Sequence, residues 1–273
     1  MMPKFVEGEF LSKFTTQGAY STKQFGHEPP LFPTFKFYSR LIFGPFQWLC
    51  RRAAKGMCDD AAWIYGSVWL ADILESLGCR IVVEGLEILN DNDTPCVFVA
   101  NHMSALETFM LPGIIRPYRK VTFVLKNSLV GLPWFGAVVR SRDPIVVGRR
   151  NPREDLSIVL NEGKKRLETG ISVIVFPQST RTQTFDPNRF NSIGEKLAKH
   201  AGVPIIPIAL KTDMWEQGKL IKELGRINPR VPIRYRFGKT FAISGPGKEV
   251  HEAVCGFIAA SLDEWRNEAE AKR

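Results

Sequence analysis

His102 and Glu107 stand five residues apart in Asn101-His102-Met103-Ser104-Ala105-Leu106-Glu107, and a second polar segment, Phe176-Pro177-Gln178-Ser179-Thr180-Arg181-Thr182, lies further along the chain. A carboxylate hydrogen-bonded to one imidazole nitrogen fixes the tautomer and leaves the other nitrogen free as a general base. On one continuous helix a five-residue step turns about 500°, which leaves the two side chains roughly 140° apart. The pair meets only if His102 sits in a turn before the helix that carries Glu107. No G-x-S-x-G elbow occurs, so the pair is half of a hydrolytic triad without its nucleophile, and a serine hydrolase is disfavoured. Taken alone, the two residues also suit a capping histidine beside a surface glutamate.

The elements around these residues make the turn placement natural. Short β-branched runs at Arg80–Val83, Cys96–Val99, Val121–Leu125, Ile145–Val147, Ile171–Phe176, Ile205–Leu210 and Ile233–Phe237 read as strands. Helical patterns lie between them, the clearest starting at Asn151 with Pro152 and Glu154 in the first turn and Leu156, Val159, Leu160 and Leu167 on one face. This alternation predicts an α/β fold with a mixed, largely parallel sheet flanked by helices. Asn101-His102 then follows a strand end and precedes a helix start, where open α/β sheets place their sites.

These residues resemble the motifs of the glycerolipid acyltransferase superfamily. Its first motif, Asn-His-x-x-x-x-Asp, is matched by Asn101, His102 and Glu107, with glutamate for aspartate. Its third, Phe-Pro-Glu-Gly-Thr-Arg, is matched by Phe176, Pro177, Thr180 and Arg181, with Gln178 and Ser179 at the two departures. Lys126, Pro133, Gly136 and the short strand leading to Arg149 resemble the second motif, and Val203-Pro204-Ile205-Ile206-Pro207-Ile208 the fourth. The resemblance runs from about residue 80 to 215. It implies transfer of a fatty acyl group from a thioester on coenzyme A or acyl carrier protein to a hydroxyl of a lysophospholipid or glycerol-phosphate acceptor, above all 1-acylglycerol-3-phosphate. His102 would deprotonate that hydroxyl and Glu107 would orient the ring. Backbone amides near Ser179 and Thr180 would face the oxyanion, and Lys126, Arg149 and Arg181 would hold the acceptor's phosphate. The resemblance calls for no metal and no cofactor beyond the thioester co-substrate. Because Gln178 lacks the family's carboxylate and Ser179 carries a Cβ, the acceptor stays open: a non-phosphate hydroxyl or amine, or a non-catalytic lipid-binding relative, are the alternatives.

Composition narrows the partners. With 44% hydrophobic and 24% charged residues, the 273-residue chain can bury a large core. The net charge of +9 is concentrated between Arg116 and Arg166, where twelve Lys and Arg face four Asp and Glu. Such a stretch suits an anionic membrane surface or phosphorylated substrates, or is simply a solvated face. No nucleic-acid recognition motif accompanies it, so nucleic acid is not expected as a partner. Five cysteines form no C-x-x-C pair and read as buried reduced thiols.

Residues 1–78 form the expected appendage to an acyltransferase domain at 79–273. An irregular, proline-bearing arm comes first, then an N-terminal amphipathic helical pair. Trp48, Trp63, Tyr65 and Trp69, with Arg51, Arg52 and Lys55 between the helices, suit a bilayer interface. The longest apolar stretch, 61–77, is broken by Gly66, Asp72 and Glu75, and residues 1–20 lack the pattern of a secretory signal. A peripheral location on the cytoplasmic side of a membrane follows as the expectation.

Overall fold

Eight strands form one sheet in the computed structural model, which describes residues 12–15, 18–23, 28–90, 94–133, 135–178, 180–219, 221–243, 245 and 247–271. The strands are β1 (Ala19–Ser21), β2 (Ile81–Glu84), β3 (Val97–Ala100), β4 (Val121–Lys126), β5 (Ile145–Val147), β6 (Ser172–Val175), β7 (Ile205–Lys211) and β8 (Ile233–Phe237). The helices are α1 (Pro33–Leu41), α2 (Gln47–Ala54), α3 (Asp60–Ser76), α4 (Leu106–Ile115), α5 (Asn127–Val130), α6 (Phe135–Arg140), α7 (Pro152–Glu168), α8 (Ile193–Ala201) and α9 (Lys248–Glu270).

The strand order is β1-β2-β8-β7-β3-β6-β4-β5, and only the β1/β2 and β7/β8 pairings are antiparallel. Parallel strands covered on both faces read as continuous apolar runs rather than alternating ones, and β3 and β6 are buried along their whole length. One face packs on α3, α4 and the N-terminal arm, the other on α7, α8 and α9. Asn151 caps α7 by accepting from the Arg153 and Glu154 amides, with Pro152 in the first turn, as the local sequence predicts.

Three expectations for the N-terminal part are corrected. The first helix of the expected pair is two helices: Gly44 leaves helical geometry (φ −108°, ψ −118°) and Pro45 has no amide to donate, so residues 42–46 form a wide turn between α1 and α2. Helix α3 is not an amphipathic surface helix, because apolar residues surround it and most of it is buried, including Trp63. It lies against α4, where a Cβ on Gly113 would come within 2.6 Å of the Ser67 Cβ, so the glycine permits the close approach. The aromatic residues pack mainly on one another, Trp48 on Tyr65 at 4.9 Å and Tyr65 on Trp69 at 5.8 Å between ring centres.

The arm, expected to be irregular, contributes β1 to the sheet edge. Lys13 pairs with Asp72 and Glu75, the Tyr20 hydroxyl donates to Glu75 at 2.6 Å, and Phe14 is fully buried. Phe14, Phe37 and the α3 side chains share one core with the sheet, so the boundary expected at 78/79 does not separate two cores. The exposed large apolar side chains lie elsewhere, at Leu31, Phe32, Phe35, Ile42 and Phe43, with Met57, Leu132 and, on the loop before β8, Ile221 and Leu224. Among the described residues no helix is long and apolar enough to cross a membrane.

Candidate active site

The four neighbouring parallel strands β3, β6, β4 and β5 end on the same edge of the sheet, and each delivers sequence-predicted residues there. His102 lies two residues past β3, the Phe176–Arg181 segment follows β6, Lys126 closes β4, and Arg149 lies just past β5. Lys126 is in register with Val147, which brings the ends of β4 and β5 side by side. This is the edge at which parallel α/β sheets gather ligand-binding loops.

The turn after β3 is held from both sides. The Asn101 amide donates to the Leu210 carbonyl and accepts from the Leu210 amide, both at 2.8 Å, clamping the turn to β7. His102 through Ala105 then curl over the start of α4, which places Glu107 in the first helical turn. Glu107 is fully buried, and its charge is met at every oxygen. Oε1 accepts from the Met103 and Ser104 amides, each at 2.8 Å, and from the Thr212 hydroxyl at 2.5 Å. Oε2 is hydrogen-bonded to His102 Nδ1. A buried carboxylate is tolerable only when paired and hydrogen-bonded in this way, and the helix N-terminus adds a favourable dipole. An ionised Glu107 requires the proton on Nδ1, which leaves the Nε2 lone pair for chemistry. The imidazole stacks on Phe176, ring centres 4.3 Å apart, so its plane is fixed as well.

The third-motif loop is tied to the same turn. Gln178 accepts from the His102 amide at 2.5 Å and donates to the Thr182 hydroxyl at 2.6 Å, while the Thr182 amide donates to the His102 carbonyl at 2.9 Å. Although Gln178 borders the cavity, both ends of its amide are committed to this loop, where the sequence suggested a position facing an acceptor. Ser179 lies outside the described residues. Thr180 is exposed on the cavity wall. Arg181 also lines the cavity, and its Nη1 donates to Glu223 Oε1 at 2.9 Å.

His102, Lys126, Arg149 and Arg181 all border one groove of about 1630 Å³. Its walls are largely apolar, with Phe46, Trp63, Phe109 and Phe135 among them, and its rim is cationic. Such a shape suits a ligand that is mostly hydrocarbon with an anionic head. None of the five cysteines borders it. Burial pushes the Cys50 and Cys255 thiols up to about 11 and Cys79 to about 12, so these side chains are protonated at neutral pH.

Residues 80–211 match the Acyltransferase family model. Over 147 residues the chain is 35% identical to the 1-acyl-sn-glycerol-3-phosphate acyltransferase of Pseudomonas aeruginosa, an alignment covering 54% of each chain. The chain thus resembles the glycerolipid acyltransferases over residues 80–211, just under half of its length. It is also 30% identical over 128 residues to the chloroplastic 1-acyl-sn-glycerol-3-phosphate acyltransferase BAT2 of Brassica napus, covering 47% of this chain and 36% of that one. The match thus spans about half the length of the bacterial relative and about a third of the plant one. The fold matches the crystal structure of the 1-acyl-sn-glycerophosphate acyltransferase PlsC of Thermotoga maritima, with a TM-score of 0.61 at 21% identity, over 85% of this chain and 94% of that one.

Two members of this site went unread in the sequence. Thr212, one residue past β7, is beside Glu107 only because β7 pairs with β3. Glu223 reaches Arg181 from the loop between β7 and β8. No local motif marks either residue.

Proposed function

We propose that this acyltransferase moves a fatty acyl group from an acyl thioester, on coenzyme A or acyl carrier protein, to the free hydroxyl of 1-acylglycerol-3-phosphate, a step of phospholipid biosynthesis. The observation that carries the reading is the buried Glu107 bound to Nδ1 of His102, which lines a largely apolar groove bordered by cations. His102 Nε2 takes the proton of the acceptor hydroxyl as its oxygen attacks the thioester carbonyl. The tetrahedral intermediate collapses, the carbon–sulfur bond breaks, and the imidazolium returns its proton to the departing thiolate. Glu107 keeps the productive tautomer and stabilises the imidazolium while it exists. That no cysteine lines the groove favours direct transfer over an acyl-cysteine route.

Lys126, Arg149 and Arg181 hold the acceptor's phosphate, and the groove accepts the acyl chains. The exposed apolar side chains of residues 31–43 and the basic rim dock the enzyme peripherally on the anionic cytoplasmic face of a membrane.

A panel of acceptors offered with one labelled acyl thioester tests this reading. Lysophosphatidate should be acylated in preference to monoacylglycerol and lyso-aminolipids. Arg181→Ala should raise the KM for lysophosphatidate by roughly tenfold to a hundredfold, the scale of a hydrogen bond to a charged group, and leave the KM for thioester nearly unchanged. Preference for an acceptor without phosphate would overturn the assignment.

A further inference from the structure

Arg181, the cation best placed by its motif to meet an acceptor's phosphate, already holds an anion. Its side chain is mostly buried, and among the described residues its ionic partner is Glu223, half-exposed, at 2.9 Å. Glu223 belongs to a hairpin-like excursion between β7 and β8, closed where Trp215 and Ile227 pair. The base of this excursion is firm: Trp215 and Ile227 are buried, the Ile227 amide donates to the Thr34 hydroxyl at 3.0 Å, and Gln217 donates to the Arg181 carbonyl at 2.9 Å. The Tyr38 hydroxyl donates to the Gly225 carbonyl at 2.8 Å, and Trp215 Nε1 to the Glu223 carbonyl at 3.0 Å. The main chain of Glu223 is therefore fixed by hydrogen bonds that do not involve its carboxylate. Ile221, Lys222 and Leu224 line the same groove, with Ile221 and Leu224 at the exposed tip.

We propose that Glu223 is the internal counter-anion of the acceptor site: its carboxylate occupies the Arg181 guanidinium until the acceptor's phosphate displaces it, so that Glu223 moderates the affinity for a phosphate-bearing acceptor. This rests on the acceptor reading above. A guanidinium in a mostly apolar groove is costly to leave unpaired, and Glu223 supplies the partner in the empty site. A phosphate offers more negative charge and more acceptor oxygens than one carboxylate, so exchange favours it. A neutral headgroup supplies neither and leaves the ion pair in place, so its binding does not depend on Glu223.

The test measures binding of lysophosphatidate in detergent micelles by titration calorimetry, beside steady-state kinetics on the full chain. Because the pair is half-exposed, Glu223→Gln should lower both Kd and KM for lysophosphatidate by about two- to fivefold. Its kcat should stay the same and its KM for monoacylglycerol should not change, so its discrimination against monoacylglycerol should rise by that factor. Glu223→Asp should lie between, and Glu216→Gln, in the same excursion without an Arg181 contact, should behave as wild type. If Glu223 only props Arg181 in place, Glu223→Gln weakens lysophosphatidate binding instead. That result, or no change, overturns the proposal. A wild-type enzyme that neither binds nor acylates lysophosphatidate removes the acceptor reading and this proposal with it, whereas acylation with an indifferent Glu223→Gln removes this proposal alone.

Discussion

The Thr212 hydroxyl donates to Glu107 Oε1 at 2.5 Å across 105 residues of chain, and it is the side-chain donor that completes the shell of the buried carboxylate. Thr212 also accepts from the Ser104 hydroxyl at 2.9 Å, and the Ser104 hydroxyl in turn accepts the Leu106 amide at the start of α4. The end of β7 thus supports both the helix start and the charge that orients His102.

Thr212→Val is isosteric and removes the hydroxyl alone, leaving Glu107 one donor short and Ser104 without its acceptor. A hydrogen bond to a charged group is worth about 1.5 to 3 kcal/mol. We expect kcat to fall about tenfold or more, with little change in either KM, and Thr212→Ser to restore most of it. A Thr212→Val enzyme with wild-type kcat would show that the amides of Met103 and Ser104 hold Glu107 unaided.

The dyad itself should respond in a graded way. His102→Ala should lower kcat at least about a hundredfold, the scale of a lost general base, with the fold retained by circular dichroism. Glu107→Gln keeps the shape, but its amide nitrogen faces Nδ1 and favours the tautomer that protonates Nε2, so the loss should be large yet smaller than for His102→Ala. Glu107→Asp retains the charge and should cost least. A different rank order in kcat would contradict the assigned roles.

Gln178 gives a test of the loop that joins the two motifs. Gln178→Ala leaves the His102 amide without its 2.5 Å acceptor, and a buried unsatisfied amide costs about 1 to 3 kcal/mol. A melting point lower by several degrees and a reduced kcat should follow. Gln178→Glu preserves that acceptor, and the Thr182 hydroxyl can turn from the exposed Thr184 carbonyl to donate in place of the lost amide, so activity should remain near wild type. Melting curves and kinetics on the two variants check the contrast.

What the sequence disclosed depended on how local each signal was. The seven strands from β2 to β8 were legible within about two residues of their ends because β3 and β6, buried on both faces, read as continuous apolar runs and β2 and β8 as alternating ones. Ala19–Ser21 has no such run, since a three-residue edge strand held by backbone pairing and by Tyr20 alone needs none, and β1 went unread. The tryptophans of α3 looked interfacial because aromatic composition is the same for a membrane belt and a core. Only the packing of α4 on α3 decides for the core. His102 and Glu107 were legible because a turn joins them, whereas Thr212 and Glu223 reach the site through strand pairing and a loop excursion that no local pattern encodes.

Membrane docking should therefore depend on a different surface from the one the tryptophans suggest. Phe32, Phe35 and Phe43 are each about three-quarters exposed, at 76%, 74% and 75%, along α1 and the turn after it. Phe32 holds a left-handed backbone (φ 58°), unusual for a bulky residue, and still presents its ring outward. Fully burying one such side chain is worth about 1.5 to 3 kcal/mol, so partial insertion of three should dominate over the screened attraction of the basic rim. Replacing the three phenylalanines by serine should lower the partition onto anionic vesicles at least about a hundredfold while leaving the melting point unchanged, because none of them packs in the core. High salt should release the wild type only in part. Trp69→Phe, on the half-buried aromatic row, should sediment with vesicles as wild type does. If the triple variant still sediments normally, or if salt alone releases the wild type completely, the enzyme meets the membrane through its basic rim and not through α1.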